Sequence, residues 1–196
     1  MKNWLLLSLI ILIVSCNSSN KNKTPNYVRD IKNEIRSLSN EQEHQLFLDK
    51  LYHNSEGKEQ KINQLRQNFF KNRVEISKLQ KEIDSLRIIN SIKVNYYIDE
   101  YGYPSSAEIY TKNQFLAIYY SLLYCNSSKI QLEHYQTIKK LYQDNKLNKH
   151  YFLTYLSRTY YNKKNMFYSF KNKKNIKTMI DEIIPEIENL RKELDY

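Results

Sequence analysis

Few side chains in this sequence are of types that do covalent or acid–base chemistry, and their spacing limits them further. There are two cysteines, Cys16 and Cys125, and four histidines, His44, His53, His134 and His150. A metal site gathers three or four ligands, and many show short, regular ligand spacings. These histidines fall at no such spacing, so they read as surface or core-edge residues, and no metal or cofactor is expected. His-Glu-x-x-His, Cys-x-x-Cys, a phosphate-binding glycine loop and Gly-x-Ser-x-Gly are all absent. Cys125 follows an apolar helical run and has no clear histidine partner. It reads as a small buried side chain rather than a nucleophile. The neighbouring carboxylates Asp99 and Glu100 would act as acid and base in a cleft. Charges near a helix end are usually solvated, however, so no residue is assigned a catalytic role.

Cys16 stands in a more telling context. Lys2 gives a basic start, and Trp4 to Val14 is an apolar run broken only by Ser8. That is too short to span a bilayer, which takes about 20 residues, but it suits a secretory signal. The run ends in Ile13-Val14-Ser15-Cys16, which resembles the lipobox of bacterial lipoproteins. The resemblance implies that residues 1–15 are removed and that Cys16 carries a diacylglyceryl group, often with a further acyl chain on its amino group. Two or three chains anchor a protein where one alone holds it only marginally. Loss of Lys2 leaves 30 basic against 21 acidic residues, a net charge of +9. Cys125 is then the one thiol left, so no disulfide is expected. Residues 16–24 form the lipidated cysteine and a polar tether, Asn17 to Thr24, with a root-mean-square reach of about 16 Å. No acidic cluster follows Cys16, which favours the periplasmic side of the outer membrane over surface display.

Helices must position whatever the chain presents. At 196 residues with 41% apolar and 13% aromatic side chains, there is material for one packed domain, residues 25–196. Two glycines and three prolines are too few for many tight turns and short strands. The expected fold is therefore all-α, a single multi-helix domain with a long amphipathic helix in its N-terminal half. In the first half, 25–95, Val28, Ile31, Ile35 and Leu38 mark one helix. Asn40-Glu41-Gln42-Glu43 caps a second carrying Leu46 or Phe47, Leu48, Leu51 and Tyr52, and His53 to Gly57 breaks the pattern. Ile62, Phe69, Ile76 and Ile83 then recur every seven residues, with Leu65, Leu79 and Leu86 as a second seam and Asn72 and Asn90 at seam positions. A helix from Gln60 to Asn90 would be about 46 Å long. Its seam faces this domain, a hairpin partner or a second copy, so a homodimer through residues 60–90 is an alternative.

Gly102 and Pro104 end that helix and divide the chain, and Ser105-Ser106-Ala107-Glu108 offers a capping box for the next. In the second half, 96–196, Thr111 to Gln114 caps a buried helix with Phe115, Leu116, Ile118, Tyr119, Leu122 and Leu123. Another carries Ile130, Tyr135, Ile138 and Leu141. A helix from His150 to about Tyr161 is apolar or aromatic nearly all round, as a core helix is. Ile176, Ile180, Ile183, Ile187, Leu190 and Leu194 mark the last, with a kink or two abutting helices expected at Pro185. Basic turns lie at Asn162 to Asn165 and Lys171 to Asn175.

Over about residues 94–194 the motif order resembles an uncharacterised bacterial domain family of unknown function. Its turn is matched by Ile98 to Pro104, including Gly102 and Pro104. Its Gln-His-Ala-Asp segment falls at Tyr124 to Ser127, its Asp-Arg helix at Ser157-Arg158, its Tyr-Gly-Thr-Gln turn at Tyr168 to Lys171 and its close at Pro185-Glu186. Arg158 and Tyr168 survive among the polar motif positions. Cys125, Ser127 and Ser157 stand where the family has histidine and acids. The resemblance thus implies a copy without the groups that chemistry would need. Two readings follow. One is a non-enzymatic binding, scaffold or inhibitory module, lipid-anchored in the cell envelope, meeting an envelope protein or an anionic lipid or polysaccharide through its basic, aromatic second half. The other is a degenerate hydrolase on an envelope polymer, with Asp99, Glu100, Arg158 and Tyr168 converging on a pocket. Export argues against nucleic acid as the partner.

Overall fold

The computed structural model describes residues 26–104 and 110–194, and these form helices and no strand. The signal segment, Cys16 and its tether, Pro25 and the Ser105 capping box lie outside the described residues. The fold is all-α.

Helix α1 (Asn26–Arg36) buries Ile31 and Ile35, four residues apart on one face. Helix α2 (Glu41–Tyr52) starts where the Asn40 side chain accepts the Glu43 N–H at 3.1 Å, an N-cap worth about 1 kcal/mol. The expected break at His53–Gly57 is absent. Those five residues form a π-helical turn that runs straight on into α3 (Lys58–Arg66). Gly57 is helical, with φ −59, and the buried Ser55 hydroxyl donates to the Leu51 carbonyl at 2.7 Å.

The unbroken helix expected over 60–90 is instead a hairpin. The chain turns at Gln67 and Asn68 and returns as α4 (Phe69–Tyr101), 33 residues and about 50 Å long. Asn72 ties the turn by donating to the Leu65 carbonyl at 3.0 Å. Ile62 of α3 packs with Ile76, Leu79 and Ile83 of α4, and Leu65 covers them. The heptad seam is therefore filled within the chain. Phe69 falls at the turn and leaves the seam, 47% exposed. Ion pairs Lys58–Glu82, Lys61–Glu75 and Arg87–Glu59 link the two arms.

The far half of α4 belongs to a larger core. Phe47 of α2 stacks on Tyr97 at 5.1 Å. Lys32 of α1 lies over the Tyr96 ring and Arg36 pairs with Glu100. One turn further along α1 thus meets one turn further along α4, so the two run parallel. Gly102 stops α4 with φ +75, its N–H bonded to the Ile98 carbonyl at 2.9 Å. A side chain at that φ would be strained.

Helix α5 (Lys112–Tyr124) starts at a complete capping box of Thr111 and Gln114 and is the central helix, buried from Phe115 to Tyr119 and again at Ser121 to Leu123. Helices α6 (Ser128–Glu133) and α7 (Tyr135–Gln143) meet at His134. Helix α8 (Lys149–Lys164) buries Phe152, Tyr155, Leu156 and Thr159, a single stripe, and so is not the all-round core helix its composition suggested. Its remaining tyrosines pack at the rim. Helix α9 (Ile176–Lys192) runs through Pro185 as one element and buries Ile180, Ile183, Ile187 and Leu190.

Tyrosine makes much of this core. Tyr119, Tyr135 and Tyr155 are fully buried, and their hydroxyls donate to the Tyr151 carbonyl, Glu188 Oε1 and the Gln131 carbonyl at 3.0, 3.3 and 2.7 Å. Burial raises all three hydroxyls above the usual phenol pKa, because the anion is disfavoured away from water.

Candidate functional site

One surface that packing does not explain lies where α8 hands over to α9. Asn165 ends α8 in the left-handed region, φ 54 and ψ 29, which asparagine tolerates better than most residues. The connector that follows is pinned to α9. The Tyr168 hydroxyl donates to the Glu182 carbonyl at 3.3 Å, and the Lys171 N–H to Glu182 Oε1 at 2.8 Å. The Tyr168 ring packs edge-on against Tyr160 and Phe170. Ahead of these pins Met166 and Phe167 face solvent, 58% and 79% exposed.

Phe167 leans on Tyr161 at 4.8 Å, and the Arg158 guanidinium lies 5.8 Å from the same ring. With Leu153, Thr154 and Ser157 they line a groove of about 330 Å³. Arg158 Nε is buried without a hydrogen-bond partner, and no described carboxylate pairs with the side chain. A planar guanidinium held over a ring keeps its edge free for a carboxylate or phosphate. From the end of α8 through the connector to the start of α9, Lys164, Lys171, Lys173, Lys174 and Lys177 are exposed, and none makes an ion pair with a described carboxylate. No acid occurs from residue 162 to 180. The result is a basic connector that begins beside a slot holding Arg158, Tyr161 and Phe167.

The other residues singled out from the sequence lie apart from it. Asp99 is exposed near the end of α4, and Glu100 is held by Arg36 at 3.3 Å. Asp99 acts on His134, a histidine whose pKa burial lowers while the fields of Asp99 and Glu133 oppose the shift. His134 is bonded to Asn95, and His44 to the Tyr97 hydroxyl. Pro104 is buried behind the Gly102 turn. The groove at Arg158 includes neither Asp99 nor Glu100 nor Tyr168, so the four proposed catalytic partners do not converge there. Tyr168 is a strut.

Cys125 belongs to a structural junction that the sequence did not reveal. Its thiol donates to the Leu122 carbonyl at 3.1 Å and is pushed up to about 11, chiefly by burial. Gln131, fully buried, donates to the Leu122 and Leu123 carbonyls that α5 leaves open at its end. Asn162 of α8 donates to Gln131 Oε1 at 2.9 Å and to the Cys125 carbonyl at 3.2 Å. Buried polar groups satisfied in this way fix how α5, α6 and α8 meet.

No family model, curated protein or solved structure matches the chain. Among the described residues no three histidine, cysteine or acidic side chains gather as metal ligands, and no helix is long and apolar enough to cross a membrane.

Proposed function

We propose that this chain is a non-enzymatic binding module, lipid-anchored through Cys16 in the cell envelope, which takes an acidic partner at the α8–α9 connector. The observation that carries the reading is the pairing of exposed Met166 and Phe167 with Arg158 and five lysines that no described carboxylate neutralises. Unneutralised charge of one sign beside exposed apolar surface suits a complementary, anionic face. The alternative of a hydrolase needs Asp99, Glu100, Arg158 and Tyr168 in one cleft, and the separate partners of these residues weigh against it.

Two measurements test the reading. In cells, Cys16→Ser should move the protein out of the membrane fraction, and unchanged fractionation would end the anchored reading. In vitro, the chain from residue 17 should be retained on an immobilised polyanion, heparin being the probe. Lys171→Gln with Lys173→Gln and Lys174→Gln should bring elution to clearly lower salt, since each phosphate- or sulfate-like contact adds to the salt dependence. Identical elution of wild type and variant would remove the connector as the contact surface.

A further inference from the structure

The hairpin carries a second surface, at its tip. Phe70 and Val74 sit one turn apart on the outer face of α4, 94% and 84% exposed, with Phe69 beside them. Nothing in the fold asks for large apolar side chains there, since the hairpin core is complete without them. The charge around them is one-sided. The acids from residue 58 to 95 are Glu59, Glu75, Glu82 and Asp84, and each is taken by an ion pair to Arg87, Lys61 or Lys58. Arg66, Lys71, Arg73, Lys78 and Lys81 are exposed and pair with no described carboxylate. Arg73, Lys78 and Lys81 line a shallow groove with Val74 and Ser77.

Direction adds a third observation. Because α1 runs parallel to α4, with Lys32 at Tyr96 and Arg36 at Glu100, Asn26 lies level with about residue 90 of α4. The N-terminal end of α1 therefore points toward the tip. From there to Phe70 is about 30 Å of helix, while the ten residues from Cys16 to Asn26 span at most about 35 Å extended. An anchor at Cys16 and the tip of the hairpin can reach one and the same surface.

We infer that the hairpin tip is a membrane-docking element that seats Phe70 and Val74 at the interface of an anionic bilayer, with the five basic side chains around them against the headgroups. Aromatic and aliphatic side chains flanked by lysine and arginine are what interfacial binding uses. A second copy is a poor occupant, because two such tips would bring like charges together. The inference rests on the anchored reading for the protein's place in the cell, but its chemistry is tested without the anchor.

The chain from residue 17 contains both cores whole and lacks Trp4, the only tryptophan. Phe70→Trp in that chain is a single reporter at a site where size is unconstrained. With vesicles containing phosphatidylglycerol its emission should shift to the blue and be quenched by brominated acyl chains. Phosphatidylcholine vesicles should leave it unchanged. Lys71→Gln with Arg73→Gln and Lys78→Gln should weaken binding about a hundredfold, and Phe70→Ser with Val74→Ser should abolish co-sedimentation while the helical circular dichroism stays the same. An unshifted emission on anionic vesicles overturns the inference, and so does an equal shift on neutral ones. A shift that grows with protein concentration in the absence of lipid would mean that another copy covers the tip, and would overturn it too. Because none of these assays involves acylation, they succeed or fail separately from the fractionation of Cys16→Ser.

Discussion

The hairpin and the helical body are both helices packed on helices, yet they divide the chain's resources in opposite ways. From residue 58 to 95 there is no tyrosine, although the chain has 18. The hairpin core is Ile62, Ile76, Leu79 and Ile83 with Leu65 over it, and ion pairs link the arms. The body buries aromatic side chains from α2, α4, α5, α7 and α8 and satisfies the hydroxyls of its fully buried tyrosines. Two helices bury one stripe each, so a hairpin leaves most of its surface wet and depends on the body through the shared helix α4. The body encloses α5 on every side. The difference teaches that the same helical alphabet builds a rigid block where neighbours surround a helix, and a projecting arm where they do not.

The sharpest way to break this contrast is to remove a ring from the body. Tyr155→Ala should cost about 3–5 kcal/mol, read as loss of the whole cooperative transition in urea followed by circular dichroism. A loss confined to α8 would show that the body is not one unit. Alkaline pH should separate the regions next. Tyr119 and Tyr155 stay protonated in the fold above the pH at which the unfolded chain ionises them. The unfolded state then holds fewer protons, and stability falls as pH rises past about 10, by about 1.4 kcal/mol per pH unit for each group. Amide exchange in the hairpin, which has no tyrosine, should follow only through its tie to the body. Ile76→Ala should cost about 2 kcal/mol and quicken exchange between residues 58 and 86 with little change in α5. Smallest is Asn72→Ala, about 1 kcal/mol, confined to the hairpin turn. Light scattering on the chain from residue 17 should give the mass of one chain. A two-chain mass would mean that the outer hairpin surface pairs with another copy.

Much of the architecture was legible because helices leave local signals. The Asn40 and Thr111 caps, the Gly102 stop and the three-four spacing of α9 all form as their residue types dictate. The hairpin turn was not legible as a turn. Gln67 and Asn68 are neither glycine nor proline, and a heptad seam reads the same whether its partner is another chain or the same chain folded back. His53 to Gly57 looked like a break because it holds a glycine, but one wider turn absorbs it. For the same reason the tip was hidden. Phe69 counts as a seam residue until the turn is placed beside it, and only then do Phe70 and Val74 stand out. At the connector, Arg158 and Tyr168 were named from a motif order. Their different fates, one open to a groove and one bound to Glu182, follow from the Asn165 reversal between them.

Cys125 has a practical consequence. It is 1% exposed, its thiol is held protonated, and it is the only sulfhydryl after residue 16. A disulfide reagent must wait until the packing around the thiol opens, so the rate of labelling works as a stopwatch already set inside the molecule. It times the opening of the body without a dye, a tag or an engineered residue, and a cysteine placed at exposed Ser77 would start a second one for the arm.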